Sequence, residues 1–337
     1  MIKIDGSEGE GGGQVLRTSA SLSLVTGEPF QITNIRGKRE KKGLMRQHVT
    51  SLEAACAISD SKCDGLAVGA SEITFRPGAV KAGNYKFAVG TAGSTNLVLQ
   101  TILPALIFAD GPSHIVLDGG THNLMAPPFD FIEQTFLPII NRMGPNISAK
   151  LVRHGFYPQG GGRIEIDIEP APLQRIDCVD RGKLWSTKGT AYFAGLPYDI
   201  ADREVKAANK VLVWEEGAIG VRELPEDQGP GNILILEATY EHVSEVVSGF
   251  GKFGLKAERL AKTAANRMKG YMESKAFAGP YLADQLLLPF ALAGGGSFTT
   301  VKPSQHSLTG ANIVERFTGR KTSFDQQEGG EFLVRVG

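Results

Sequence analysis

The chain has 337 residues, with 36 Lys+Arg against 36 Asp+Glu, so its formal net charge is zero. That balance excludes a polybasic binder acting through bulk charge, and any nucleic-acid contact must come from a local patch. Hydrophobic residues at 42% and charged residues at 21% place it among globular rather than disordered chains. The 42 glycines exceed ordinary usage and gather in short polar loops, where backbone can approach a ligand closely. Cys56, Cys63 and Cys178 form no C-x-x-C pair and are too few for a disulfide framework, which points to a reducing cytoplasm. The apolar runs are interrupted by Gln100 and Pro104, or by Asp284, Gln285 and Pro289, so neither a signal peptide nor a membrane span is expected.

In chain order, a strand-like Ile2-Lys3-Ile4 leads through a glycine loop into a helix bearing Gln14 and Arg17. β-branched and aromatic content predicts a strand over 30–36, a helix over 44–59 and a strand over 72–76. An apolar helix containing Gln100 follows, then a strand over 114–118, a helix over 128–143 and a strand over 163–169. After these come a strand over 184–193, a helix over 200–215, strands over 232–240 and 243–248, and a basic helix over 255–272. A second apolar helix containing Gln285 precedes a strand over 297–302, a helix over 308–317 and a strand over 331–336. Gln100 and Gln285 each stand four residues before a proline, and Gln14 holds a similar place after the first glycine cluster. This internal similarity predicts an α/β (α+β) fold of three βαβαββ units. The second interval between glutamines exceeds the first by about 99 residues, so a smaller α/β domain, roughly 181–275, is expected as an insertion in the third unit. Residues 1–180 and 276–337 would then form the main domain.

Chemistry concentrates in a few places. Gly9-Glu10-Gly11-Gly12-Gly13 before a helix makes an anion-friendly nest of N–H groups, yet lacks the Gly-Lys-Ser/Thr of a Walker A loop. A carboxylate there, Glu10, suits a Mg²⁺ ligand. From Arg36 to Arg46 six cations face one anion, a local excess suited to polyphosphate or RNA backbone or, more blandly, to a solvated face. His48 reads equally as a ligand contact and as a satisfied core histidine. Gln100 and Gln285 need hydrogen-bond partners if buried, either a ligand or the backbone freed by the nearby prolines. His306 lies in a loop between strand and helix, where a helix N-terminus favours a neutral, nucleophilic ring. The remaining histidines show no i,i+4 zinc spacing. Gly249-Phe250-Gly251-Lys252-Phe253-Gly254 has dinucleotide-loop spacing, but no parallel strand follows it closely enough for a Rossmann unit.

Several long motifs in order carry a resemblance. They are Gly9-Glu10-Gly11-Gly12-Gly13-Gln14-Val15-Leu16-Arg17, Gly43-Leu44-Met45-Arg46-Gln47-His48, His154-Gly155-Phe156-Tyr157-Pro158-Gln159-Gly160-Gly161-Gly162-Arg163, Tyr281-Leu282-Ala283-Asp284-Gln285 and Pro303-Ser304-Gln305-His306. Through almost its whole length the chain resembles the RNA 3′-terminal phosphate cyclases. The resemblance implies the same three-unit fold with an insert. It implies ATP-dependent conversion of an RNA 3′-phosphate to a 2′,3′-cyclic phosphate through a covalent histidyl-AMP. His306 would be the AMP-accepting nucleophile and Glu10 would bind Mg²⁺ or Mn²⁺. Arg17, Arg36, Arg39 and His48 would neutralise phosphates, while Gln100, Pro127, Phe131, Tyr281, Leu282, Ala283, Asp284 and Gln285 would hold the nucleoside of ATP. The expected partner is RNA with a 3′-phosphate end, with no membrane involved. A non-catalytic, ribosome-assembly branch of the family is the alternative, against which His306, Glu10 and Arg17 argue. The insert is expected to serve RNA handling and to lie outside the adenylylating centre.

Overall fold

Alternation of apolar and polar residues builds the first sheet. In β2 (Phe30–Thr33) and β4 (Ile73–Arg76) every second side chain is buried, and the paired Phe30 and Phe75 stack with ring centroids 5.6 Å apart. With β1 (Ile2–Asp5) and β3 (Lys62–Asp64) these strands take the order β1-β2-β4-β3, with α1 (Gly13–Thr26) and α2 (Arg46–Ala57) in the connections. The computed structural model describes residues 1–337 as a mixed α/β fold with four such four-stranded sheets.

The second sheet repeats the plan. β5 (Asn84–Ala88), α3 (Thr95–Leu106) and β6 (Ser113–Gly119) lead into a helical stretch made of α4 (Phe129–Phe131), a π-helical turn (Ile132–Phe136) and α5 (Leu137–Arg142). β7 (Asn146–Arg153) and β8 (Gly162–Glu169) complete it. Its order is β5-β6-β8-β7. A short β9 (Asp177–Cys178) then gives way to another sheet. That sheet comprises β10 (Leu184–Ala194), α6 (Tyr198–Leu212), β11 (Ile219–Glu223), β12 (Gly231–Tyr240), β13 (Ser244–Phe250) and α7 (Ala257–Glu273), ordered β11-β10-β12-β13. Only afterwards do α8 (Pro280–Leu292), β14 (Gly296–Thr300), α9 (Gln305–Thr318), β15 (Thr322–Gln326) and β16 (Phe332–Val336) return to β9, in the order β9-β14-β16-β15. In the first, second and last of these sheets the opening strand runs parallel to its neighbour and the other two pairings are antiparallel.

Helices α1, α2, α3, α8 and α9 pack on one another between these sheets. Proline inside α3 removes a backbone donor, and the carbonyl freed by Pro104 belongs to Gln100. The Ser21 hydroxyl of α1 lies 3.2 Å from that oxygen and 2.7 Å from the next carbonyl, so the defect becomes a tie between two helices.

The sheet between β9 and α8 has its own interior. Buried positions of α7 recur at 257, 260, 261, 264, 265 and 268, the stripe of an amphipathic helix. Inside this region lies Glu204 of α6, fully buried, with one oxygen accepting from Asn232 Nδ2 and the other without a partner. Burial pushes its carboxyl up to about 8, so it is neutral in the folded protein near pH 7. A raised carboxyl contributes stability that is full below the unfolded value near 4.5 and is lost as pH climbs towards 8. Glu204→Gln, which stays neutral, is therefore expected to gain in melting temperature relative to wild type as pH rises from 5 to 8.5. Parallel thermal melts across that range check it, and a pH-independent difference would show that the carboxyl is charged in the fold.

Candidate active site

The glycine loop and the start of α9 meet across the molecule. Gly9 and Gly11 take left-handed φ of 57° and 62°, and Gly12 precedes α1 without any side-chain cap. Gly13 has no room for a side chain: a Cβ there would stand 2.4 Å from His48 Nε2 and 2.7 Å from Arg17 Nη1. Glycine at this point lets the loop lie directly against two nitrogen-rich side chains.

His306 faces this loop. Ser304 caps α9, its hydroxyl accepting from Ser307 N at 3.0 Å, so His306 is the second residue of the helix rather than part of a loop. Its Nδ1 lies 2.6 Å from Gln14 Oε1 and 2.8 Å from Glu10 Oε2. The Gln14 amide is oriented by its own Nε2, which donates to the His306 carbonyl at 3.2 Å. Gln14 Oε1 is the hydrogen-bond acceptor at Nδ1, with the Glu10 carboxylate beside it as a neighbouring charge rather than a bonded partner, so Nδ1 carries the proton and Nε2 keeps a free lone pair. Burial holds the imidazole below its ordinary range. Asp284 opposes that shift, while Arg17 and Arg39 add to it, so the ring is neutral at pH 7. Asp284 is itself pushed up by burial and accepts from the hydroxyls of Ser304, at 2.8 Å, and Ser307.

Around this ring stand the cations. Arg39 pairs with the other oxygen of Glu10. Arg36 sits at a left-handed φ of 57°, its Nε donating to Lys41 O at 3.1 Å. Burial lowers Arg17 to about 10, with Arg36 adding to the shift, so it remains a cation. His48 is different: its Nδ1 accepts from Met45 N at 3.0 Å, and burial beside Arg17 and Arg36 lowers it to about 3. It is a neutral ring whose Nε2–H is left to donate a hydrogen bond.

Gln14, Arg17 and His306 line one end of a cavity of about 480 Å³. Gln100, Pro127, Phe131, Tyr281, Asp284 and Gln285 also line it. The two glutamines expected to need partners bond to one another, Gln100 Nε2 donating to Gln285 Oε1. Buried Asn96 donates to the Thr121 and Pro127 carbonyls at 3.1 and 2.9 Å and so places the Pro127 loop. Leu282 and Ala283 do not reach the cavity. They are buried in the hydrophobic core, because on α8 the cavity face takes positions 281, 284 and 285. The opposite wall was not anticipated: Val246, Ser248 and Phe250 alternate along β13 towards the cavity, and Arg267 of α7 joins them. The region expected to stand apart from the adenylylating centre supplies a side of this cavity.

The amino-acid sequence matches the family described as RNA 3′-terminal phosphate cyclase over residues 8–324. An RNA 3′-terminal phosphate cyclase of Koribacter versatilis (strain Ellin345) is 48% identical over 329 residues, covering 97% of this chain and 93% of that protein. Proteins of the same description from Ectopseudomonas mendocina and Pseudomonas fluorescens are each 44% identical over 317 residues, covering 94% of this chain and 92% of their own length. The chain belongs to the RNA 3′-terminal phosphate cyclase family. Among solved structures, the enolpyruvyl transferase NikO from Streptomyces tendae aligns with this cyclase at 15% identity and a TM-score of 0.29. It covers 71% of this chain and 44% of that one, too distant a match to bear on the fold.

In this cyclase Gln14 is the residue whose role the sequence did not disclose, although it stands inside the first motif. Gln14→Leu removes the neutral acceptor from Nδ1 while Glu10 remains. Reaction at Nε2 is expected to slow by about tenfold, the size of one ordinary hydrogen bond, with little change in melting temperature. Rates of covalent labelling by ATP check this, and a wild-type rate would leave Gln14 without a part in orienting the ring.

Proposed function

We propose that this cyclase converts an RNA 3′-terminal phosphate to a 2′,3′-cyclic phosphodiester by way of AMP carried on Nε2 of His306. The observation that carries the reading is the clasp on Nδ1, which leaves Nε2 with a free lone pair on a ring that lines a nucleotide-sized cavity. In the first step Nε2 attacks the α-phosphorus of ATP, the bond to the bridging oxygen breaks and pyrophosphate leaves. As the N–P bond forms the imidazole becomes cationic, and the Glu10 carboxylate and Gln14 oxygen at Nδ1–H stabilise that charge. An oxygen of the RNA 3′-phosphate then attacks the same phosphorus and the N–P bond breaks, returning His306 to neutrality. Finally the adjacent 2′-hydroxyl attacks the activated 3′-phosphorus, loses its proton and expels AMP. The last step draws on proximity, because nucleophile and electrophile share one ribose.

Arg17, Arg36 and Arg39 supply positive charge for the triphosphate and then for the RNA end phosphate, and His48 Nε2–H donates one further hydrogen bond. Tyr281 and Pro127 offer flat surfaces to the base, while Asp284 and the Gln100–Gln285 pair offer polar atoms to the nucleoside. Family membership implies ATP and Mg²⁺. No cluster of three or more His, Cys, Asp or Glu is arranged around a metal position. A Mg²⁺ held mainly by phosphate oxygens and water needs only one or two carboxylates, and Glu10 Oε2, which lacks a hydrogen-bond partner, meets that need. Glu10 would hold the cation, which when bound neutralises phosphate charge as pyrophosphate departs. The recurring strand order supports a reading of three βαβαββ units, with residues 181–275 as a small α/β domain inserted in the third.

Incubation with ATP labelled at the α-phosphorus tests the assignment. The protein is expected to retain label through an acid-labile, base-stable bond, and His306→Ala to lose it entirely while staying folded. Label on His306→Ala at the wild-type level would refute the nucleophile. Phe250→Ala is expected to weaken ATP binding by about tenfold through loss of buried aromatic surface from the cavity wall. Equilibrium binding of ATP measures it, and unchanged affinity would remove β13 from the nucleotide site.

A further inference from the structure

The glycine-spaced segment 249–254 has a use that the nucleotide site does not absorb. A Cβ on Gly249 would stand 2.6 Å from Leu260 Cδ2, and one on Gly251 only 1.7 Å from Asn232 Oδ1. Gly254 takes a left-handed φ of 80°. The segment is thus pressed against α7 and β12, and the consequence is a division of its two aromatic rings. Phe250 lines the nucleotide cavity, whereas Phe253 stands wholly in solvent at 107% relative exposure.

Phe253 rims a second hollow, of about 570 Å³, which shares Leu124, Ser248, Phe250 and Arg267 with the nucleotide cavity. Its other wall is one face of α7, where Arg259, Thr263 and Arg267 follow at i, i+4 and i+8 and span about 12 Å. Lys252, Arg259 and Arg267 are exposed and none has an ion-pair partner, since the acids of α7, Glu258 and Glu273, are paired with Arg203 and Lys269. Three unneutralised cations and a solvent-facing aromatic ring line a hollow continuous with the place where AMP would be carried. A protein partner would have to meet three uncompensated charges, whereas a single nucleic-acid strand offers both phosphates and π-faces.

We infer that this hollow is the track for the RNA strand upstream of its terminal nucleotide. Phe253 stacks on a base, and Lys252, Arg259 and Arg267 hold backbone phosphates. The strand passes Leu124 and Ser248 on its way to His306. This inference rests on the cyclase reading above and adds to it the path of the substrate.

The test compares two RNAs with 3′-phosphate ends, a dinucleotide and a 12-mer, on the full chain. Arg267 is left unchanged because it also lines the nucleotide cavity. Phe253→Ala and the double variant Lys252→Ala/Arg259→Ala are expected to raise KM for the 12-mer by about tenfold. The kcat, the dinucleotide KM and self-adenylylation by ATP should stay at wild-type values. Phe253→Trp should restore the 12-mer KM. The slope of log KM for the 12-mer against log salt should shrink by about 0.7 for each cation removed. A wild-type 12-mer KM in both variants would overturn the track. So would equal losses with the dinucleotide or in self-adenylylation, which would make the segment part of the nucleotide site. A wild-type protein that neither labels itself nor cyclises the dinucleotide would instead sink the cyclase reading, so the two failures are distinguishable.

Discussion

The structure turns on a clasp between distant parts of the chain: the imidazole of His306 held at Nδ1 by Gln14, with the Glu10 carboxylate beside it, both nearly three hundred residues away. A nucleophilic histidine needs one nitrogen protonated and the other bare, and an amide acceptor with a carboxylate beside it at one nitrogen favours that state without a titratable partner at the other. The clasp forms only if the first glycine loop and the first turn of α9 are brought within hydrogen-bonding distance. The packing of α1 against α9 does this, and the loop glycines allow backbone to approach where side chains would collide.

The cations follow from the same geometry. Arg17 and Arg39 stand beside a ring that must stay neutral and help to keep it so, while Arg36 stands beside Arg17. Arg17 has no carboxylate partner, and its guanidinium is lowered by burial and by Arg36. A crowded set of like charges is unfavourable until an anion arrives, and it suits a triphosphate whose charge must be offset before Nε2 can approach phosphorus. Glu10 stands among them between Arg39 and the imidazole, and Asp284 acts on the same ring, so two carboxylates bear on the charge of the pocket.

Much of this was legible in the amino-acid sequence because it rests on local rules. Spaced glycines, the density of Lys and Arg between residues 36 and 46, and glutamines four residues before prolines are all local patterns. The start of α9 was also within reach, since Ser304 is a good helix cap and sets His306 one turn earlier than periodicity placed the helix. The resemblance places Leu282 and Ala283 at the site through their motif, whereas helical spacing separates them from positions 281, 284 and 285. Other features had no local signal. Nothing near Gln100 identifies Gln285 as its partner, and alternation along β13 tells that one face is covered without telling by what. The contribution of Val246, Ser248 and Phe250 to the cavity depends on how the sheet they belong to docks, a long-range property of packing.

The tautomer of His306 is the point at which geometry becomes chemistry. Nitrogen-15 NMR of the free protein, labelled in its histidines and assigned with His306→Gln, reads that state directly near pH 7.5. The account predicts a protonated Nδ1 and a bare Nε2 for His306. A ring protonated at Nε2 with Nδ1 bare would contradict it, because Nε2 would have no lone pair to offer.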